Sequence, residues 1–245
     1  MFRTLTELGR NFVELLYPNA CLLCRAPGSA SQAIRHGLCT ACFRAVADDP
    51  LPSCPRCART VGPHADLAGG CLGCRGESLG FDRAIRLGPY DGKLRDAILR
   101  TKVTAGEGTA DFLGRVFAEA RGAELVALGA DAVVPVPLHW RRRWARGYNQ
   151  AEAIGRELAG ALGVPFRPRA LVRVRHVVQH LQPSHAARRE AIKGAFLARR
   201  RATFAGRAVL LVDDVMTTGS TAGEAARTLL AAGAGRVAVA VLARA

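Results

Sequence analysis

The chain has 245 residues, of which 49% are hydrophobic and 22% are charged, so it has ample apolar material for a core and is not disordered throughout. No run approaches the roughly 18 consecutive apolar residues that a membrane-spanning helix needs. An excess of 35 Lys and Arg over 20 Asp and Glu gives a net charge of +15, which attracts phosphate-bearing partners, although a coding bias toward arginine explains it equally well.

The first 18 residues predict an amphipathic helix. Leu5, Leu8, Phe12 and Leu15 recur at helical spacing with charged residues between them, and Pro18 ends the pattern. This segment lacks the uninterrupted apolar stretch of a signal peptide. We therefore expect a cytoplasmic protein whose thiols stay reduced, which favours metal binding by its cysteines over disulfides.

All eight cysteines lie in a segment rich in proline and glycine, as four CxxC pairs: Cys21 and Cys24, Cys39 and Cys42, Cys54 and Cys57, Cys71 and Cys74. Two residues between thiolates let both sulfurs of a tight turn point at one ion, and two pairs complete the four-thiolate shell that zinc prefers. The pattern predicts two structural zinc ions. A redox CxxC normally occurs only once in a chain, which argues against that alternative. Consecutive and interleaved pairing of the four CxxC pairs both satisfy this geometry.

Beyond residue 80 the chain has no cysteine and predicts alternating strands and helices. In chain order these are a strand at 84–90, helices at 92–102 and 109–120, a strand at 131–137, a helix at 149–163, a strand at 170–174, a loop at 175–184, a strand at 207–214, a helix at 220–233 and a strand at 236–243. Strands that are apolar on both faces indicate a mostly parallel sheet flanked by helices, the α/β class. We therefore expect a small zinc module at 1–80 and an α/β domain at 81–245.

The segment VLLVDDVMTTGST, residues 209 to 221, carries the clearest ligand signal. It predicts a buried strand that ends in Asp213 and Asp214, then a small polar loop and a helix. The loop amides and hydroxyls form a cradle for a terminal phosphate, in which glycine allows close approach of the backbone; its residues are Thr217, Thr218, Gly219, Ser220 and Thr221. Two carboxylates beside such a cradle suit two neighbouring ribose hydroxyls. The segment predicts a site for a sugar 5′-phosphate at the carboxyl edge of the sheet.

The same 13 residues resemble the phosphoribosyl pyrophosphate (PRPP) signature of type I phosphoribosyltransferases. With the four CxxC pairs and the segment PVPLHWRRRWARGYNQA at 135–151, the chain resembles more narrowly the ComF family over nearly its whole length. These bacterial proteins have an N-terminal double zinc ribbon and a phosphoribosyltransferase domain and are associated with competence for DNA uptake. The resemblance implies that Asp213 and Asp214 bind the ribose hydroxyls and that residues 217–221 hold the 5′-phosphate.

The resemblance also implies a reaction that displaces pyrophosphate from the anomeric carbon of PRPP, with Mg²⁺ held largely by PRPP itself. Such a reaction requires the protein to position the reactants and to stabilise the departing charge. Arginines follow Pro137 in the loop where the superfamily binds pyrophosphate, namely Arg141, Arg142, Arg143 and Arg146. We expect Arg146 to join Asp213 and Asp214 as a catalytic residue. A solvated basic turn, or contact with nucleic-acid phosphates, is the alternative for these arginines.

The loop from Arg175 to Arg188 occupies the place of the superfamily's flexible lid, which excludes water from bound PRPP. Gln179 and Arg188 resemble residues that the family keeps there, whereas Ala191 stands where the family usually has asparagine. Two functions remain open. One is a phosphoribosyltransferase with an unidentified nitrogenous acceptor, and the other is a non-catalytic protein that senses PRPP or binds single-stranded DNA or a competence or recombination protein.

Overall fold

A computed structural model describes residues 20–27, 34–175, 185–199 and 204–245. The predicted N-terminal helix lies outside these residues, as does Gln179. In chain order the elements are β1 (Ile34–Arg35), β2 (Leu38–Cys39), α1 (Thr40–Ala47), β3 (Arg83–Pro89), α2 (Gly92–Arg100), α3 (Glu107–Ala120), α4 (Gly122–Val126), β4 (Ala132–Pro135), α5 (Trp140–Arg146), α6 (Gln150–Leu162), β5 (Leu171–Arg173), α7 (His185–Ile192), β6 (Phe196–Ala198), β7 (Ala208–Met216), α8 (Ser220–Ala231) and β8 (Arg236–Arg244).

A four-stranded parallel sheet with the strand order β3-β8-β7-β4 forms the centre of the fold. Its middle strand β7 is apolar on both faces, and the side chains from Val209 to Val212 are at most 1% exposed. A parallel sheet buries both of its faces, and this burial explains the continuous apolar runs in the sequence. The structure confirms the predicted α/β class and the mostly parallel sheet flanked by helices.

Helices cover the two faces of this sheet and form two separate cores. On one face α3 and α6 bury Leu113, Phe117 and Ile154 against the strands. On the other face α8 packs Leu229 beside Phe204, and the short antiparallel pair β5–β6 extends the same core. Each such side chain contributes about 1.5–3 kcal/mol through burial, so the two faces together hold the strand ends in a fixed arrangement. None of the helices in the described ranges has the length and the apolar run that crossing a bilayer requires.

Several predicted elements differ from the structure near the carboxyl edge of the sheet. Strand β7 continues to Met216, so Asp213 and Asp214 lie within the strand, because β8 is long enough to pair with it as far as Arg244. The predicted arginine loop after Pro137 is wrong, since these residues form α5. The His139 ring accepts a bond from the Arg141 amide at 3.4 Å where this helix begins.

Other short elements were not predicted. These are the β1–β2 hairpin and α1 in the zinc module, α4, β6, and α7, which begins within the predicted lid segment and carries Arg188 and Ala191. Most of them are two to five residues long, or lie in segments without apolar periodicity. Such elements are held by tertiary contacts more than by their own propensity.

Candidate functional site

The eight cysteines form two clusters of four. The four sulfurs of each cluster lie within 4.8 Å of one another; the first cluster is Cys21, Cys24, Cys39 and Cys42, and the second cluster is Cys54, Cys57, Cys71 and Cys74. Sulfur–sulfur distances of 3.6–3.7 Å recur in both. Zinc–thiolate bonds of about 2.3 Å place the corners of a tetrahedron about 3.8 Å apart, so both donor sets fit zinc. The pairing left open by the sequence is consecutive.

Backbone amides in these turns favour the thiolate form that binds metal. Burial acts to raise the pKa of Cys54, but amides of Cys71, Cys57 and Arg56 together outweigh it and lower this pKa to about 7. The Cys71 amide donates to the Cys54 sulfur at 3.3 Å. The pKa of Cys21 in the first cluster is lowered in the same way, to about 6. Each cluster thus holds one thiol that ionises near neutral pH, which assists metal binding.

The two adjacent aspartates lie at the carboxyl edge of the sheet, near the end of β7. The Asp213 carboxylate accepts the Asp214 amide at 2.9 Å, and the Asp214 carboxylate accepts the Val215 amide at 2.7 Å. Burial, followed by the charge of Asp214, raises the pKa of Asp213 well above its usual range, and Arg173 opposes this rise. Carboxyl pKa values raised by burial and by a neighbouring carboxylate are typical of functional sites. A pair of carboxylates facing solvent would show no such rise.

The predicted phosphate loop follows the aspartates directly. Gly219 adopts a φ of +81° immediately before α8, a conformation that favours glycine, and the Thr218 hydroxyl accepts the Ser220 amide at 3.3 Å. The hydroxyls of Thr218 and Ser220 lie 2.9 Å apart. The loop therefore combines hydroxyls with the positive end of a 12-residue helix, an arrangement that suits a phosphate group.

Helix α5 carries the four predicted arginines and follows β4, the neighbour of β7. Its C-terminal flank is firmly anchored: Tyr148 donates to the Thr101 carbonyl, Gln150 donates to the same oxygen at 2.8 Å, and Asn149 donates to the Val136 carbonyl at 3.0 Å. Burial raises the pKa of Tyr148 to about 12, while Arg146 lowers it and Asp214 raises it. Arg146 and Asp214 thus share a neighbourhood.

The other arginines of α5 are engaged differently. Arg143 forms an ion pair with Glu152, and the Arg141 guanidinium lies 5.2 Å from the Trp140 ring centre. The charge of Arg142 lowers the pKa of Arg173, and the charge of Arg173 in turn lowers the pKa of Asp213. Arg142 is therefore linked to Asp213 through Arg173, whereas Arg143 has a local partner.

Arg173 is a site residue that sequence reasoning missed. It lies on β5, where burial lowers its pKa and Asp213 acts against this effect. Its guanidinium lies 5.6 Å from the Phe196 ring centre, and its Nε donates to the Arg175 carbonyl at 3.4 Å. The alternation of arginine with apolar residues in LVRVR is the signal that could have placed this side chain on one face of the strand.

Two family models match the chain. Residues 12–75 match the double zinc ribbon domain, and residues 148–245 match the phosphoribosyl transferase domain. Among solved structures, the glutamine PRPP amidotransferase from B. subtilis is 25% identical over 56% of this chain and 27% of its own, with a TM-score of 0.35. The allosteric regulatory enzyme of purine biosynthesis is 30% identical over 54% of this chain and 25% of its own, with a TM-score of 0.36.

Named relatives match almost end to end. The DNA utilization protein YhgH of Salmonella typhi is 34% identical over 235 residues, which cover 94% of this chain and 99% of that protein. Competence protein F of Haemophilus influenzae is 33% identical over 230 residues, which cover 92% and 96%. Because this similarity spans more than nine tenths of each chain and includes both matched domains, the protein belongs to the ComF family.

Proposed function

We propose that this protein binds PRPP at the carboxyl edge of its sheet and transfers the phosphoribosyl group to a nitrogenous acceptor, releasing pyrophosphate. The observation that carries this proposal is that the carboxylate pair Asp213 and Asp214, in which the pKa of Asp213 is raised, is followed directly by the phosphate loop at 217–221. The match of residues 148–245 to the phosphoribosyl transferase domain supports it. We infer that the protein acts in the cytoplasm, where its eight free thiols stay reduced.

In this proposal the two aspartates accept hydrogen bonds from the ribose 2′- and 3′-hydroxyls. Asp213 is costly as a half-buried anion beside Asp214, and two hydroxyl donors would lower that cost. The loop holds the 5′-phosphate with the amides and hydroxyls of residues 217–221. Oxygen ligands of this kind suit Mg²⁺, which would neutralise charge on the pyrophosphate when it is bound with PRPP.

Positive side chains near the aspartates would bind the departing group. Breaking the bond between the anomeric carbon and the pyrophosphate oxygen leaves the electron pair on pyrophosphate, and fixed cations lower the cost of that charge. Arg173 acts electrostatically on Asp213, Arg142 acts on Arg173, and Arg146 acts on Tyr148, which Asp214 also affects. The role of these arginines would be to hold pyrophosphate in line for displacement.

A combined binding and turnover experiment tests this function. Calorimetry with PRPP and Mg²⁺ should show one site per chain, and pyrophosphate release should appear when the correct nitrogenous acceptor is supplied. Pyrophosphorolysis of a panel of nucleotides tests the reverse direction and does not require the acceptor to be identified first. Binding without turnover across a broad panel of bases would favour a PRPP sensor, and absence of PRPP binding would refute the site.

A second candidate function is the binding of single-stranded nucleic acid by α5. None of its residues is buried, and Trp140 and Trp144 are 63% and 87% exposed between arginines. Bases stack on exposed aromatic rings while arginines pair with phosphates, so this surface fits a single strand. The names of the relatives, competence protein F and DNA utilization protein YhgH, support a link to DNA uptake.

Trp144→Ala tests this surface. It should weaken binding to a single-stranded oligonucleotide about tenfold, because base stacking on an aromatic side chain is worth about 1–3 kcal/mol. Leu72→Ala is the matched control, since Leu72 is 90% exposed but lies on the zinc module. Equal affinity for the two variants would refute a nucleic-acid surface on α5.

A further inference from the structure

The side chain of Arg244 joins the second cluster to the phosphate loop. Arg244 lies at the end of β8 and is only 5% exposed. Its Nε donates to the Cys57 carbonyl at 3.1 Å, and its Nη1 donates to the Met216 carbonyl at 3.0 Å and to the Thr217 carbonyl. One buried guanidinium thus bonds to a metal-binding turn on one side and to the start of the phosphate loop on the other.

The space around this bridge is a cavity and not a packed core. It has a volume of about 120 Å³ and is lined by Cys57, Cys74 and Arg59 of the zinc module and by Met216, Thr218 and Gly219 of the loop. The directional bonds from Arg244 cross this cavity and add to the apolar contact that Ala58, Phe81 and Met216 make in one shared core. Loss of the guanidinium would leave the loop carbonyls facing open space.

The charge of the second cluster favours the same bridge. Burial and then the charge of Arg59 lower the pKa of Arg244, whereas Cys57 and Cys71 of the second cluster act in favour of its charged form. Four thiolates around one Zn²⁺ carry a net charge of −2, so a loaded cluster stabilises the buried guanidinium.

The first cluster makes its contacts elsewhere. Arg100 of α2 donates to the Leu22 carbonyl and, at 2.9 Å, to the Leu23 carbonyl, while His36 lies 2.8 Å from Glu119 of α3. These helices belong to the core on the face of the sheet opposite α8. The two clusters are therefore not equivalent with respect to the phosphate loop.

We propose that Arg244 is a positioning residue that couples the second cluster, and not the first, to the phosphate loop. A metal ion in the second cluster and a phosphate-bearing ligand in the loop then strengthen each other's binding, and this reciprocity is required by linkage. The statement that a phosphate-bearing ligand binds in the loop rests on the proposed function. The coupling within the protein does not, since it concerns only Arg244, the cluster and the loop backbone.

Ribose 5-phosphate is the probe for ligand binding in the loop, because it carries the 5′-phosphate without pyrophosphate. Arg244→Met should weaken its binding about tenfold in calorimetry, within the range typical of such coupling. Arg244→Lys should fail to restore affinity, because a single ammonium group cannot span carbonyls on both sides. Arg236→Met is the matched control, since Arg236 on the other end of β8 also donates to two carbonyls, those of Leu128 and Gly129.

Zinc release to a chelating dye gives the reciprocal measurement. Ribose 5-phosphate should slow release of one of the two ions, and Cys54→Ser with Cys57→Ser should remove this protected phase. Cys21→Ser with Cys24→Ser should retain it. Where calorimetry shows that ribose 5-phosphate binds, protection of both ions, of neither, or of an ion in the first cluster alone would overturn the proposal.

Amide hydrogen exchange keeps the coupling testable if ribose 5-phosphate does not bind. Calorimetry with PRPP would then decide the proposed function, and the coupling would be decided in the ligand-free protein. Arg244→Met should speed exchange at residues 217–221 while exchange in β4 stays slow, which shows that the sheet has folded. Arg236→Met should leave the loop unchanged. Equal exchange at the loop in both variants would overturn the coupling.

Discussion

Arg86 and Asp49 form a buried ion pair between β3 and the zinc module, with Nε 2.7 Å from Oδ2 and Nη2 3.0 Å from Oδ1. The Arg86 and Asp49 side chains are 1% and 8% exposed. The same guanidinium donates to the Ala58 carbonyl at 3.1 Å and to the Thr60 hydroxyl at 2.6 Å. Arg86 of β3 therefore joins Arg244 of β8 as a buried arginine that ties the zinc module to the sheet.

Asp49→Ala should lower the free energy of unfolding by about 3–5 kcal/mol, because it leaves the charge of Arg86 buried without its partner. Urea denaturation followed by circular dichroism measures this loss. Asp66→Ala is the control, since it breaks the exposed pair between Asp66 and Arg75. Similar stability of the two variants would show that the buried pair does not hold the module.

Purified protein should contain two zinc ions per chain, one for each cluster of four thiols. Elemental analysis of protein prepared without added metal measures the content. Changing Cys21 and Cys24 to serine should remove one ion, and changing Cys54 and Cys57 should remove the other. Protein without zinc in which all eight thiols react would contradict this assignment.

Changing Asp213 and Asp214 to alanine should abolish PRPP binding in calorimetry and leave the melting temperature close to that of the natural protein. Both carboxylates lie at the edge of the sheet and accept hydrogen bonds from neighbouring backbone amides. Asp131→Ala is the control, because its carboxylate accepts the Ala208 amide at 2.8 Å at the opposite end of β7. Retained PRPP affinity in the double variant would place the ligand elsewhere.

Asp213→Asn should be more stable than the natural protein, by a margin that grows as the pH rises. Burial and Asp214 raise the pKa of Asp213, with Arg173 opposing them, so the fold favours the neutral carboxyl. The neutral carboxyl contributes its full share of the free energy of unfolding below the ordinary aspartate pKa of about 3.9. That share is lost as the pH rises toward and through the pKa of Asp213 in the folded protein. The advantage of the amide should therefore grow from about pH 4 upward and then level off in urea denaturation. A gain that is the same at every pH would contradict the shifted pKa.

Arg146→Ala should weaken PRPP binding at least tenfold and leave ribose 5-phosphate binding unchanged, because only PRPP carries pyrophosphate. Calorimetry with both ligands measures the difference. Arg143→Ala is the control, since Arg143 is paired with Glu152. Equal losses for both ligands would refute the assignment. A loss confined to oligonucleotide binding, with a salt slope shallower by about one, would place Arg146 in a nucleic-acid surface.

Local patterns predicted the parts of the fold that depend on neighbouring residues. The CxxC pairs predicted the two clusters, because two cysteines three positions apart need only one tight turn to meet. The apolar run before Asp213 predicted the central strand, since burial on both faces leaves a continuous pattern. Helix α5 was missed because its exposed tryptophans and arginines show no apolar face, although His139 and Gly147 flank it as caps.

Local sequence patterns could not predict contacts between residues that are far apart along the chain. Arg244 and Cys57 are 187 positions apart, and Arg86 and Asp49 are 37 apart, so nothing in either neighbourhood indicates the other. Arg173 reaches the aspartates from a three-residue strand whose partner β6 was not predicted. The roles of these arginines became visible only through the packing that brings the sheet, the loop and the zinc module together.

The position of β8 sets the order in which parts of the protein can fold during synthesis. β8 lies between β3 and β7, although about 150 residues separate it from β3 along the chain. A ribosome-bound chain therefore completes both thiol clusters, each local in sequence, long before the strand that joins β3 to β7 has been synthesised. Such non-local strand pairing folds slowly. Metal can enter the nascent chain early, whereas the phosphate loop acquires its Arg244 contacts only when translation reaches β8.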